Sequence, residues 1–198
     1  MIRTDAGGTG EKNMQISLAT KSSTATDGVL RYRFLGHHEI EELAELWNVV
    51  HEEHTATAPG LQDVLASVGP DEAWRRRRAQ YLRWLQDRET LAVLAERDGA
   101  PVGYAMVTLR DNPQGSWDRG ERVAVVQTLA IHPDARGTGV ASGLLEEVRL
   151  QVAAQGVRDI ELSAPAGNPG ELRFFEEEGF RPFVTTMVCR IGGTGALD

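Results

Sequence analysis

An α/β fold built on a mixed, mostly antiparallel sheet is predicted by three observations. Apolar residues switch repeatedly between strand-like runs and helical spacing. Asp98-Gly99 separates two early apolar runs as a hairpin signal. The almost wholly apolar run Val123–Ile131 passes into a glycine-rich turn and a long amphipathic segment. The order reads β-α-α-β-β-β-α-β-α-β, with roughly six to seven strands and about four flanking helices.

Taken in order, Leu30–Leu35 reads as a strand, and Ile40, Leu43, Ala44, Trp47 and Val50 recur at helical spacing. A loop of small and polar residues is expected from His51 to about Gly69. Asp71 then caps a second helix with Trp74, Tyr81, Leu82 and Leu85 on its inner face. Strands at Leu91–Glu96 and Val102–Leu109 flank the hairpin turn. A polar loop, Asp111–Arg122, precedes the central strand Val123–Ile131. Val140, Leu144, Val148 and Val152 line a long helix closed by Gly156. Arg158–Ala164 is a short strand, and Asn168-Pro169-Gly170-Glu171 resembles a capping box opening a helix that stops at Gly179. A last strand or strand pair runs from about Arg181 to Ile191.

The 198 residues fit a single domain by the rule of about 100–200 residues each. Residues 1–28, rich in Gly, Thr and Ser, bury too little to offset ordering entropy and are expected as a flexible tail; the domain spans 29–198. With 21 Lys+Arg against 29 Asp+Glu, the net charge of −8 argues against a nucleic-acid partner. No apolar run approaches the roughly 18 residues of a membrane span, and no secretory leader is evident, so a cytoplasmic protein is expected. The lone Cys189 excludes disulfides and Cys-based zinc sites; no metal is expected, and Cys189 reads as a small buried hydrophobe. Phe174, Phe175, Phe180 and Phe183 read as core. Arg75–Arg78 reads as a solvated helix face. A homodimer is left open.

The chemistry lies in Leu129-Ala-Ile-His-Pro-Asp-Ala-Arg136-Gly-Thr-Gly-Val-Ala141-Ser-Gly-Leu-Leu145. Glycines at 137, 139 and 143 let backbone approach a ligand, and a helix N-terminus favours an anion. With Arg136 adding a guanidinium, this is a phosphate site, best suited to pyrophosphate. A plain strand–turn–helix joint is the alternative. A dinucleotide fingerprint would need glycine at Ser142 and a βαβ context, and a P-loop would need Gly-Lys-Ser/Thr; neither is present.

Arg136-Gly-Thr-Gly139-Val-Ala141 matches the Arg/Gln-x-x-Gly-x-Gly/Ala signature of the GNAT N-acetyltransferases, and the chain resembles that superfamily over about Val29 to Ile191. A second signature is met by Asn168, Phe174, Gly179 and Phe180. The resemblance implies a sheet splayed between strands four and five, with acetyl-CoA as cosubstrate. It implies that Leu129, Ala130 and Ile131 pair with the pantetheine arm and that Gly137, Thr138, Gly139, Val140, Ala141 and Ser142 hold the pyrophosphate beside Arg136. Asn168 would contact the CoA arm, or serve only as a helix cap. The implied reaction is direct attack of a primary amine in a ternary complex; the alternative is a catalytically silent acyl-CoA-binding domain.

Attack needs a neutral amine. A Lys-like amine with pKa about 10.4 is neutral in roughly one molecule per 2,500 at pH 7, a cost near 4.6 kcal/mol. The family's tyrosine acid falls on Phe175, and the base glutamate of the ribosomal-protein alanine acetyltransferases falls on Ser163. Ser163, Gln127, Glu52 and Glu53 are therefore the catalytic candidates, acting through an ordered water held by strand four, Ser163 or the His51–His54 stretch. Glu39, Glu41, Glu42, Glu45, Glu52 and Glu53 crowd the first helix and the loop after it, so the acceptor is expected to be cationic.

Overall fold

The structure, a computed structural model, describes residues 28–57, 61, 64–112 and 116–191. Apart from Gly28, the expected tail lies outside the described residues. Strand β1 (Leu30–Phe34) pairs antiparallel with β2 (Leu91–Arg97), β2 with β3 (Ala100–Asp111) and β3 with β4 (Arg122–Ile131). Strand β5 (Ile160–Leu162) runs parallel to β4, which completes a mixed five-stranded sheet. Four α-helices flank it: α1 (Ala44–Thr57), α2 (Pro70–Trp84), α3 (Val140–Ala154) and α4 (Pro169–Glu177). Among the described residues, no helix is long and apolar enough to cross a membrane.

The sheet has a core on each face. Val93, Ala95, Ala105 and Val107 meet Val140, Leu144, Val148 and Val152 of α3. Ala92, Leu94, Tyr104 and Met106, the alternate residues of the same strands, meet Leu46, Trp47 and Tyr81 from α1 and α2. Two-residue alternation along β2 and β3 thus feeds two helical layers.

Strand β4 breaks that alternation. Met106 is opposite Thr128 while Val107 is opposite Val126, so Gln127 is an extra residue. One inserted residue reverses the facing of everything after it. Ala124 and Val126 accordingly face the α3 core, whereas Ala130 joins the α1–α2 core. Thr128 also turns that way, and its hydroxyl lies 2.7 Å from the Tyr81 hydroxyl, which is 2.9 Å from that of Tyr104. Pairing with β5 ends just before the bulge, at Val126 and Leu162.

Several expectations change. The strand or strand pair from Arg181 to Ile191 is not formed: this segment carries no regular pairing and is exposed throughout, so six to seven strands become five among the described residues. A strand pattern is local, whereas a strand needs a partner, and β5 offers only three residues. Cys189 is consequently exposed rather than buried, and Phe183 is 57% exposed against Trp117. Residues 51–57 continue α1 instead of forming a loop, with the Thr55 and Thr57 hydroxyls donating back to the His51 and Glu53 carbonyls. Helix α2 starts at Pro70 with Gly69 as cap, because proline pre-sets the first helical φ; Asp71 lies in the first turn.

Gly103 of β3 is paired opposite Ile131 at the end of β4. A Cβ there would stand 2.9 Å from the Ala130 carbonyl oxygen and 2.9 Å from Ile131 Cδ1. Gly103→Ala is expected to cost about 1–3 kcal/mol by overpacking against backbone that cannot rotate away, seen as a lower urea midpoint. An unchanged midpoint would mean that the two strands tolerate wider spacing.

Candidate active site

Where β5 stops pairing, a cleft of about 680 Å³ opens between the end of β4, helix α1 and helix α4. Leu129–Ile131, Arg136, Gly137 and Gly139–Ser142 form one wall. Val50, Glu53, His54 and Thr57 of α1, the cap residue Asn168, and Gly170, Glu171, Phe174 and Phe175 of α4 supply the other. A recess of about 50 Å³ adjoins it, sharing Val50, His54, Leu129, Glu171 and Phe175 with the cleft and adding Gln127, Ser163, Trp47 and Arg77.

The wide end is built for an anion. After β4, a single 3₁₀ turn, Pro133–Ala135, leads to Gly137 and Gly139, whose φ angles of 70° and 82° are left-handed. A Cβ at either glycine would meet nothing within 4 Å, so the turn borders open space. Among the described residues, no amide from Gly137 to Ser142 donates to a backbone carbonyl or to a side chain. These free donors at the start of α3 suit phosphate oxygens. Thr138 alone of the expected cradle does not line the cleft: its hydroxyl donates to the Ala135 carbonyl at 2.7 Å and accepts from Arg97 at 2.8 Å, bracing the turn. Arg136 is ion-paired with Glu53 at 2.5 Å across the cleft.

The narrow end carries the titratable groups. Glu171 stands in the first turn of α4, where Asn168 Oδ1 accepts from its amide at 3.2 Å and Asn168 Nδ2 donates to its carboxylate at 2.9 Å. Asn168 is therefore a helix cap that also lines the cleft, and only half of the expected capping box forms. Burial, aided by the Glu53 charge, raises the Glu171 carboxyl above its ordinary value. His54 is exposed and lines the cleft, yet surrounding protein and the Arg77 guanidinium hold its imidazole below the ordinary histidine value. Phe175 is buried against Phe174 and Phe180 and lines both cavities, with no hydroxyl to give. None of the three tyrosines lines either cavity.

Of the residues nominated from sequence, Gln127 and Ser163 meet at the recess, with Gln127 donating to Thr108 Oγ1 at 2.9 Å. Glu53 reaches the cleft but is engaged by Arg136, and Glu52 is exposed and lines neither cavity. Glu171, Arg77 and Trp47 were not nominated. The expected acidic field is also largely answered by the chain's own arginines: Glu39 and Glu42 hold Arg33 at 2.9 and 2.8 Å, and Glu41 holds Arg78.

Glu53 competes with any bound phosphate for Arg136. Both side chains are close to half exposed, which limits the pair to about 0–1 kcal/mol. Glu53→Gln is expected to tighten CoA binding by up to about fivefold at low salt, measured by calorimetric titration. Weakened CoA binding would show that Glu53 supports the ligand instead.

Comparison with known proteins assigns the chain to a family. The sequence profile of the acetyltransferase (GNAT) family matches residues 42–180. An L-2,4-diaminobutyric acid acetyltransferase of Nocardia farcinica is 30% identical over 95 residues, 48% of this chain and 46% of that protein. A mycothiol acetyltransferase of Acidothermus cellulolyticus is 29% identical over 107 residues, 51% of this chain and 33% of that protein. The chain thus spans under half the length of these curated relatives. The solved aminoglycoside N-acetyltransferase AAC(6')-Iy in complex with CoA superposes with a TM-score of 0.63 at 16% identity, covering 86% of this chain and all of that one. With the profile spanning most of the domain, this chain belongs to the GNAT family of acetyltransferases, whose cosubstrate is acetyl-CoA.

Proposed function

We propose that this chain transfers an acetyl group from acetyl-CoA to a primary amine by direct attack within a ternary complex. The observation that carries the reading is one continuous cleft. It joins the free Gly137–Ser142 amides to the unpaired edge of β4 and ends at a recess bearing titratable groups. Acetyl-CoA, when bound, supplies a thioester carbonyl open to an amine.

The chain's own residues divide the work. Gly137–Ser142 and Arg136 hold the pyrophosphate, and Leu129–Ile131 hold the pantetheine arm along the β4 edge left free beyond Val126. The acceptor enters as an ammonium and must lose a proton before its lone pair can react. We assign that proton to the Glu171 carboxylate, which Asn168 orients and whose raised pKa makes it a better base than an ordinary glutamate. Burial and the Arg77 guanidinium hold the His54 imidazole below its ordinary value, which favours its uncharged form. No phenol serves as acid here, so the departing thiolate, with a pKa near the 8.5 or so of cysteine, takes through water the second proton that the attacking nitrogen sheds as the C–S bond breaks.

A base works only when unprotonated, so activity falls as pH drops through the raised Glu171 pKa. Glu171→Gln is expected to lower kcat by about 10²–10⁴-fold and remove that acid limb, while calorimetry finds CoA affinity unchanged. Undiminished kcat would assign the base elsewhere. Tight CoA binding with no CoA release for any amine tried would favour a silent binding domain.

A further inference from the structure

Arg77 is the member of its run that turns inward. Arg75 and Arg76 hold Glu72, and Arg78 holds Glu41, all at the outer surface. Helical spacing explains the exception, since Arg77 shares the inner face of α2 with Trp74 and Tyr81. Its guanidinium lies 4.3 Å from the Trp47 ring centroid and 5.6 Å from that of Tyr81. The side chain is half-buried and lines the recess, with no ion pair or hydrogen bond among the described residues. Trp47, 6% exposed, lines the same recess, and its Nε1–H is buried without an acceptor.

A guanidinium cannot shed its charge by losing a proton, and the aromatic faces offset only part of its desolvation. A guanidinium without a partner, lining one small pocket, suits a planar oxyanion. A single water needs about 10–15 Å³ of free volume, so the recess of about 50 Å³ admits a carboxylate and little more. Glu171, at the junction with the cleft, supplies the opposite charge.

We infer that the recess is a carboxylate subsite in which Arg77, stacked on the Trp47 ring, holds the acid group of the acceptor. The acceptor class is then an amine that also bears a carboxylate, with its amine toward Glu171 and its acid group on Arg77. The inference rests on the acetyl-transfer reading of the cleft for the ligand's role, but its first test needs no turnover.

In the CoA-loaded full chain, the Arg77 Nε–H and Trp47 Nε1–H resonances are followed during titration with glycine, β-alanine or lysine, each against its own amide. Signals are assigned with Arg77→Lys and Trp47→Phe. At least one acid is expected to move both signals at millimolar concentration, while its amide moves neither. If no acid moves them, or acids and amides move them alike, the inference is overturned whether or not the protein acetylates anything. Turnover is then compared on the same pairs. Acids are expected to exceed amides in kcat/KM by about 10- to 100-fold, the range of a hydrogen-bonded charge pair. Arg77→Gln should erase that preference without changing KM for acetyl-CoA. Arg77→Lys, which keeps the charge but loses the planar fork, should retain part of it and guards against a folding defect in Arg77→Gln. Equal losses on acids and amides would reduce Arg77 to a packing role and contradict the inference. Resonance shifts without CoA release would leave the subsite standing and sink the acetyl-transfer reading instead.

Discussion

The single inserted residue Gln127 in β4 is the constraint on which the rest of the structure depends. Before it, β4 faces the α3 core and pairs with β5; after it, the faces are exchanged and the pairing has ended. A bulge also bends its strand. Backbone donors and acceptors seldom remain unpaired in a folded core, so a strand edge left free beside a cleft is a place for a ligand's own amide groups. The same inversion turns Thr128 onto the Tyr81 hydroxyl, in the core that carries Trp47 and Arg77.

Each flanking helix contributes one chemical property to this gap. Helix α3 presents free amides, because its first turn follows two residues in left-handed conformations that direct the chain around an open space. Helix α4 brings Glu171 to the narrow end in its first turn, where Asn168 both caps the helix and fixes the carboxylate. Helix α1, running on to Thr57, carries Glu53 and His54 to the opposite wall. Charge is therefore separated along the cleft: donors at the wide end, a carboxylate at the narrow end, and a guanidinium in the recess beyond it.

The anion end of the site is legible in residues 129–145, since positive-φ turns leading into a helix leave few choices but glycine. The layered α/β order is legible as well, because β2, β3 and the helices keep their periodicities. The bulge is not: Val123–Ile131 is apolar on both faces, so no alternation exists whose phase could be seen to slip. Glu171 is concealed by having a sufficient local explanation as part of a helix cap. Arg77 is concealed by its neighbours, although its spacing from Trp74 and Tyr81 marks the inner face. The segment Arg181–Ile191 shows the opposite failure, a strand-like pattern whose pairing depends on a partner that local sequence does not describe.

Amide hydrogen exchange with and without CoA tests the central claim most directly. If the free edge of β4 and the start of α3 form the cofactor site, slowed exchange should appear at Leu129–Ile131 and Gly137–Ser142, with little change at β1, β2 or the outer face of α2. Protection that leaves both segments untouched, or that falls chiefly elsewhere on the molecule, would contradict the account.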